Sequence, residues 1–370
     1  MLRYKEIKLT LKELIAQMSD GDKLPSRSIL SRQLDSSRVT IDKAIRELEE
    51  EGILSSRFGS GTYVSHKLEG MVVNARNWCL IVPDIREDIY AKLASSVENE
   101  ARKWNTNVIL CNSENSAENQ DRYIKRLIVS GTDGFIIVPV IAKSVLENVG
   151  LYQSLLQSKV PFVFCNREVE GISVPLVKSN DFYGGYIATL HLIDQGYRNI
   201  AYLAQQRYRT SIERCHGYIS ALQCRGIEVD HRRILMLDNG TLEDCRSQLD
   251  RILKSDVPMD AVFCFSDVIA LEAMRCVEDA DLQVSGDIGI IGYNDDASLK
   301  MVKPGLTTIS YQMEEVGRTA AEVLRKKIEC EMTGSFDYYL VQPEIVVRES
   351  CLGLSDRDGA ERTADQAGRV

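Results

Sequence analysis

Three cationic side chains between residues 38 and 46 have a spacing that suits contacts with nucleic acid. In a helix, Lys43 and Arg46 would lie on the face opposite the apolar residues, with Arg38 beside them in the first turn. The forked guanidinium of an arginine in that turn can donate to O6 and N7 of guanine, so we predict that Arg38 reads a base edge. Lys43 and Arg46 are predicted to contact phosphate groups.

Apolar spacing predicts the helix that carries these cations. Residues spaced i, i+3, i+4 and i+7 share one face, and they are Ile41, Ala44, Ile45 and Leu48. We expect the helix to begin at Ser36 or Ser37 and to run to Glu51, because Gly52 can adopt the positive φ of a helix end.

A shorter helix and a hairpin flank this helix. Pro25 favours a helix that starts just after it, with Ser26 placed to cap the free N–H groups. Beyond the second helix, two strand-like runs flank Gly59 and Gly61, where a hairpin tip needs positive φ. This layout predicts a winged helix-turn-helix and makes double-stranded DNA the leading partner. A helical hairpin whose charges are simply solvated is the alternative on these patterns alone.

The order of the short motifs makes the pattern more specific. They are LPS at 24–26, SRVT at 37–40, EEGI at 50–53 and GSGTYV at 59–64. With them, residues 1–66 resemble the GntR family of bacterial transcription regulators. The resemblance implies a DNA-contacting set that consists of Ser26, Arg27, Ser37, Arg38, Val39, Thr40, Lys43, Arg46, Gly59 and Gly61.

Three positions depart from this family's usual pattern. Its members commonly have an acidic and then a basic residue after LPS, and a basic residue four positions after the SR arginine. This chain has Arg27, Ser28 and Asp42 there. We expect Arg27 to supply the phosphate contact that Ser28 cannot make. Since Asp42 would repel phosphate, we expect it to face a base amino group or a partner side chain, and we expect the operator to differ from the family's usual one.

Charge and composition limit the classes of protein. The 370-residue chain has a net charge of −9; up to residue 70 it has 12 Lys and Arg against 11 Asp and Glu, and beyond it 33 against 43. Operator affinity should therefore depend on local geometry and on dimerisation. The ten cysteines form no C-x-x-C pair, and no signal peptide or run of 18 apolar residues occurs. These features predict a cytoplasmic protein with reduced thiols and no membrane span. The four histidines lack metal-ligand spacing, so we assign no metal and no cofactor.

The rest of the chain alternates short buried runs with amphipathic helical stretches. The buried runs are 79–82, 108–111, 135–138, 162–165, 200–203, 261–265 and 288–291. This alternation predicts an α/β fold of two lobes, each a doubly wound parallel sheet, with a cleft between them. We therefore assign four segments: a winged helix-turn-helix domain of the α+β type at 1–66, a linker at 67–77, a two-lobed effector-binding and dimerisation domain at 78–350, and a disordered tail at 351–370.

Polar residues follow several of these buried runs. They are Asp84, Asn166, Arg167, Asp267, Asn294 and Asp295. Any one of them is equally well explained as a helix cap or a turn residue. Several at one sheet edge suit an uncharged ligand rich in hydroxyls, because carboxylates accept and guanidinium groups donate hydrogen bonds in fixed geometry. Tyr90 could stack on the apolar face of such a ligand.

A second resemblance covers residues 77–350. Its motifs, in family order, are FYGGYIATLHLIDQGYRNIAYL (182–203), ERCHGYISAL (213–222), MDAVFCFSDVIALEAM (259–274), DIGIIGYNDD (287–296), PGLTTIS (304–310) and PEIVVRES (343–350). They look like the sensor domain of LacI/GalR-type repressors. The resemblance implies a periplasmic-binding-protein-like pair of lobes that three crossing strands join.

This second resemblance also assigns effector-binding residues. Arg214 matches the arginine that grips the effector and Asp267 the ligand-binding carboxylate, while Arg167 and Tyr90 match less distinctive positions. The predicted effector site therefore consists of Asp84, Tyr90, Arg167, Arg214, Asp267 and Asn294. Asn294 stands where the family usually has Asp, and Asn180-Asp181 reverses the usual Asp-Asn order.

The two resemblances together predict a bacterial transcription regulator, and they match the arrangement of arabinose-repressor-like regulators. We expect a homodimer that binds a palindromic operator and represses carbohydrate-utilisation genes, with a sugar or polyol between the lobes changing operator affinity. The alternatives are a sugar-responsive activator, a sugar-binding module with a degenerate DNA-binding domain, and an enzyme. Neither a Schiff-base lysine nor paired catalytic carboxylates are indicated by any motif, so we predict that the chain is not an enzyme.

Overall fold

The computed structural model describes residues 3–57, 60–65, 76–140, 144–205, 209–237, 241–329 and 337–352. The chain divides into two compact units, residues 1–76 and 77–370. Residues 67–75 of the predicted linker and 353–370 of the predicted tail lie outside the described residues.

The described residues of the first unit form three helices and a two-stranded antiparallel hairpin. Its elements are α1 (Arg3–Ala16), α2 (Arg27–Gln33), α3 (Arg38–Glu50), β1 (Leu54–Arg57) and β2 (Gly61–Val64). The backbone N–H of Ile29 donates to the Ser26 hydroxyl, and that of Thr40 to the Ser37 hydroxyl, so both serines cap their helices. Helix α1 was not predicted, although Ile7, Leu11 and Ile15 recur every four residues and are buried against α3.

The second unit alternates strands and helices along the chain. In order, its elements are β3 (Arg76–Val82), α4 (Asp88–Lys103), β4 (Thr106–Asn112), α5 (Ala117–Ser130), β5 (Gly134–Ile137), α6 (Val145–Ser158), β6 (Phe162–Cys165), β7 (Leu176–Ser179), α7 (Asp181–Asp194), β8 (Ile200–Gln205), α8 (Arg209–Cys224), β9 (Ile234–Leu237), α9 (Leu242–Leu253), β10 (Ala261–Cys264), α10 (Asp267–Asp279), β11 (Gly289–Asn294), β12 (Thr307–Ser310), α11 (Met313–Ile328), β13 (Tyr338–Val341) and β14 (Glu344–Val346).

These strands form two six-stranded sheets, one in each lobe. The first lobe has the order β4-β3-β5-β6-β7-β13, and the second has β9-β8-β10-β11-β12-β14. The second sheet is parallel except for β14, which runs antiparallel to β12. The chain passes between the lobes after β7, after β12 and after β13, because α11 packs on the first sheet. The predicted fold class is confirmed.

Five short strands, β7, β9, β12, β13 and β14, were not predicted. Each spans only three or four residues, and β7 places the charged side chain of Lys178 in a buried strand, which hides the apolar pattern. No helix in the described part of the chain has the length and apolarity that crossing a bilayer requires.

The strand order explains where a ligand can bind in each lobe. The first strand of each sheet, β3 or β8, lies second from one edge, and the next two strands along the chain flank it on opposite sides. This reversal opens a crevice at the carboxyl ends of the central strands. Both crevices border a cavity that residues of both lobes line.

Candidate functional site

The outer face of α3 presents the cations that the sequence predicted. Ile41, Ala44, Ile45 and Leu48 are buried, whereas Arg38, Val39, Lys43 and Arg46 lie on the side away from the core. Val39 is 78% exposed, as expected for an apolar side chain that faces outward at the start of the helix. The helix therefore carries three cations on a face free of the core, in an arrangement that suits the major groove.

Two side-chain contacts tie α2 to the start of α3. Arg27 Nε donates to Asp42 Oδ1 at 2.5 Å, and Arg38 Nη2 donates to the Ser28 hydroxyl at 2.5 Å. Arg27 also donates to Thr62 Oγ1 on β2 at 3.3 Å. Asp42 thus has a partner side chain, one of the two outcomes expected for it. Ser28 does not neutralise the charge of Arg38, because a hydroxyl is a neutral acceptor.

One of the two glycines predicted for the hairpin, Gly61, lies among the described residues. Gly61 has φ +129°, a backbone conformation that favours glycine, while the nearest atom to a Cβ there, Lys23 Cε at 2.6 Å, belongs to the flexible end of a side chain that can move aside. Gly59 lies outside the described residues.

A cavity of about 570 Å³ lies between the two lobes of the second unit. From the first lobe it is lined by Arg86, Glu87, Asp88, Ile89, Tyr90, Asn166 and Arg167. From the second lobe and the crossing after β12 it is lined by Gln205, Thr210, Arg214, Phe265, Ser266, Val268, Asn294, Asp296, Ala297 and Tyr311. Its size and its mixture of aromatic and hydrogen-bonding groups suit a small ligand.

Four of the six predicted effector residues line this cavity: Tyr90, Arg167, Arg214 and Asn294. Asp84 and Asp267 are absent from the lining. Asp84 instead pairs with Arg86, and this hydrogen-bonded partner lowers the pKa of Asp84 to about 2. Asp84 is therefore placed to orient Arg86, which is itself a lining residue.

Asp267 lies behind the cavity wall at the start of α10. Its carboxylate is buried and accepts hydrogen bonds from Thr308 Oγ1 at 2.6 Å and from the backbone N–H of Asp296 at 2.9 Å. These bonds hold the loop that carries Asp296, a lining residue. The carboxylate thus shapes the second-lobe wall from behind.

Two glycines allow the close helix packing that positions Arg214 at the cavity. A Cβ at Gly185 would lie 2.2 Å from the Arg214 carbonyl oxygen, and a Cβ at Gly217 would lie 2.1 Å from that of Phe182. Because neither glycine has a side chain, α7 and α8 approach closely. The Arg214 guanidinium then lies 3.5 Å from the Tyr293 ring centroid and donates to the Phe265 carbonyl oxygen at 2.5 Å.

Arg167 lies on the first-lobe wall, opposite Arg214, and three acceptors of its own lobe hold it in place. It donates to Asn115 Oδ1 at 3.1 Å, to the Pro139 carbonyl oxygen at 3.2 Å and to the Tyr90 hydroxyl at 3.3 Å. Tyr90 is only 2% exposed, so its ring forms part of a fixed wall. Arg167 and Arg214 therefore present oriented donors from opposite lobes.

Several residues that line the cavity were not among the predicted effector residues. Gln205 and Phe265 lie at the ends of β8 and β10, so the same strand-end rule could have found them. Tyr311, in the crossing after β12, donates to Asn166 Oδ1 in the other lobe. No local pattern marks Tyr311, because its place depends on how the chain crosses between the lobes.

The buried carboxyl of Asp267 should make stability depend on pH. Burial raises the pKa of Asp267 to about 6, so between pH 4 and 6 the folded chain holds this proton more tightly than the unfolded chain. Its contribution to stability should therefore fall by about 2 kcal/mol as the pH rises through that window. Urea unfolding at pH 4.5 and 7.5 should show wild type losing stability relative to Asp267→Asn. A difference that stays constant or grows in favour of wild type would contradict this.

Family comparisons match both units. Residues 3–64 match the model described as bacterial regulatory proteins, gntR family. Residues 189–351 match the model of a periplasmic binding protein-like domain. The arabinose metabolism transcriptional repressor of Geobacillus stearothermophilus is 29% identical over 339 residues, which cover 90% of this chain and 93% of that protein.

Two solved structures share this fold with a sugar present. A LacI family transcriptional regulator from Enterococcus faecium with bound ribose is 26% identical, has a TM-score of 0.63, and covers 75% of this chain and 100% of its own. The transcriptional regulator CelR in complex with cellobiose is 25% identical, has a TM-score of 0.66, and covers 92% of this chain and 99% of its own.

Proposed function

We propose that this chain, a transcription regulator that joins a gntR-family DNA-binding domain to a periplasmic binding protein-like domain, represses carbohydrate-utilisation genes under the control of a sugar. The sugar would bind in the cavity between the two lobes and change the affinity of the first unit for operator DNA. The relatives named above support this proposal, since one is an arabinose metabolism repressor and two solved regulators hold ribose or cellobiose.

The observation that carries the proposal is the cavity lining. Arg167 and Arg214 donate from opposite lobes, and Asn166, Asn294 and Gln205 add amide groups that both donate and accept. Phe265 supplies an apolar ring face. A sugar presents hydroxyls around its edge and C–H groups on its faces, so it matches this combination of groups.

Two polar contacts join the lobes, and a change in lobe arrangement would alter them. Lys178 on β7 pairs with Glu213 on α8 at 2.5 Å, and Lys92 on α4 donates to the Asp295 carbonyl oxygen at 3.1 Å. A ligand held from both walls favours whichever lobe arrangement brings those walls to it. In a two-fold dimer, that change would alter the spacing of two recognition helices and hence operator affinity.

A thermal-shift screen tests the binding step. The full chain, at fixed salt, would be melted with pentoses, hexoses, disaccharides, uronic acids and sugar phosphates. A specific ligand at 100 times its Kd should stabilise the fold by about 2.7 kcal/mol. If no sugar raises the melting temperature at millimolar concentration, the proposal is wrong.

The Arg27–Asp42 pair predicts an unusual salt dependence of DNA binding. Asp42 neutralises Arg27, so Asp42→Ala should release Arg27 to meet a phosphate group. The plot of log affinity against log salt should then steepen by about 0.9 for each additional phosphate that Arg27 neutralises, and affinity for random and operator DNA should rise together at low salt. The matched control is Glu50→Ala, which removes the same charge from the distal end of α3. Fluorescence anisotropy would measure both variants, and an unchanged slope with Asp42→Ala would count against this role.

A further inference from the structure

The carboxylate of Asp181 belongs to none of the predicted contacts, yet it is the direct partner of Arg214. Arg214 Nε and Nη2 both lie 2.8 Å from Asp181 Oδ1, and the two side chains are 4% and 0% exposed. Tyr311 Oη lies 3.4 Å from the other carboxylate oxygen. This is a buried ion pair directly behind the cavity wall, with one hydrogen bond from Nε and a second close contact from Nη2.

The reversed order of Asn180 and Asp181 creates this pair. Asn180 caps α7 by accepting from the Tyr183 backbone N–H at 3.1 Å, which leaves Asp181 as the first residue of the helix. A carboxylate in that position is favoured by the helix dipole. The close approach of α7 and α8 then sets it against Arg214. With the opposite residue order, an amide would face the guanidinium and its charge would stay unbalanced.

We infer that Asp181 is a specificity-determining residue: by neutralising Arg214, it makes the cavity select uncharged sugars and reject anionic ones. This inference rests on the proposed function and narrows the effector class within it. Arg214 still has N–H groups for hydroxyl oxygens, but it offers no net charge to a carboxylate or phosphate. Asp181 acts through Arg214 and is therefore a positioning residue.

The other charges around the cavity act in the same direction. Among the described lining residues, the cations are Arg86, Arg167 and Arg214, and the carboxylates are Glu87, Asp88 and Asp296. Arg86 already pairs with Asp84 behind it, as Arg214 does with Asp181. The lining carboxylate Asp88 pairs in turn with Lys92 at 2.8 Å. With these partners counted there are five carboxylates and four cations, so a bound anion would meet net repulsion.

The test compares matched neutral and anionic probes on the full chain by isothermal titration. The pairs are D-ribose with D-ribose 5-phosphate, D-galactose with D-galacturonate, and D-glucose with D-glucuronate. Wild type should bind the neutral member of the preferred pair at least about tenfold more tightly, and Asp181→Asn should shift that ratio about tenfold toward the anion. The control is Asp194→Asn, which breaks the exposed Asp194–Arg225 pair with the same charge change and should leave the ratio as in wild type.

A second variant keeps the charge argument testable if Asp181→Asn does not fold. Asp84→Asn frees the lining cation Arg86 from its carboxylate partner at a partly exposed site, so it should also shift the neutral-to-anionic ratio toward the anion. A wild type that prefers the anionic member, or a ratio that Asp181→Asn leaves unchanged, overturns the inference but not the proposed function. A wild type that binds no probe of either class and that no sugar stabilises in the thermal-shift screen overturns the proposed function, and the inference falls with it.

Discussion

Replacing Arg38 by alanine should abolish discrimination between operator and random DNA. Arg38 is exposed in the first turn of α3, and the Ser28 hydroxyl holds its guanidinium without neutralising it. A bidentate contact to guanine contributes about 1 to 3 kcal/mol of discrimination, and a dimer would lose it at both half-sites. Operator affinity should therefore fall on the order of 1,000-fold, as measured by anisotropy at fixed salt.

Arg46→Ala is the matched comparison for this prediction. Arg46 is exposed about two turns after the start of α3, where a phosphate contact is expected. Its replacement should weaken binding to operator and to random DNA by similar factors. It should also reduce the slope of log affinity against log salt by about 0.9 for each phosphate that Arg46 neutralises. If Arg38→Ala weakens binding to operator and to random DNA equally, Arg38 binds phosphate and does not read a base.

Replacing Arg214 by methionine should both destabilise the second unit and remove the response to effector. The change leaves the fully buried Asp181 carboxylate without its partner, while burial already raises the pKa of Asp181. Removing one member of a buried ion pair costs about 3 to 5 kcal/mol. Arg214 also lines the cavity, so sugar binding should be lost with it.

The control for this prediction is Arg225→Met. Arg225 pairs with Asp194 at 2.7 Å at the surface, with 45% and 55% of the two side chains exposed. Such exposed pairs contribute about 0 to 1 kcal/mol, so this variant should unfold in urea almost as wild type does and keep its effector response. A free energy of unfolding for Arg214→Met within about 1 kcal/mol of wild type would show that the pair is not a structural anchor.

Local patterns predicted the α/β architecture and the recognition helix. The i, i+3, i+4, i+7 spacing from Ile41 to Leu48 defined the buried face of α3, and Ser37 marked its start, because capping and amphipathicity depend on residues close in sequence. Helix α1 was missed although its Ile7, Leu11 and Ile15 carried the same kind of signal.

The site was predicted less completely, for a physical reason. Strand-end residues such as Arg167 and Asn294 could each be placed at the carboxyl edge of a parallel sheet, where ligands bind. The pairing of Asp181 with Arg214 could not, because it depends on how closely α7 approaches α8. Asp267 was predicted to face the ligand, yet Thr308 and the Asp296 backbone hold it behind the wall.

Operator affinity measured with and without sugar tests the central claim most directly. The full chain would be titrated onto operator DNA at fixed salt, alone and with saturating amounts of the sugar that stabilises it most. Coupling between two sites typically amounts to about 1 to 3 kcal/mol, so the Kd for operator should change by about 5- to 150-fold, and bound operator should change the sugar's affinity by the same factor. An operator Kd that stays the same while the sugar is bound would contradict the proposed regulation.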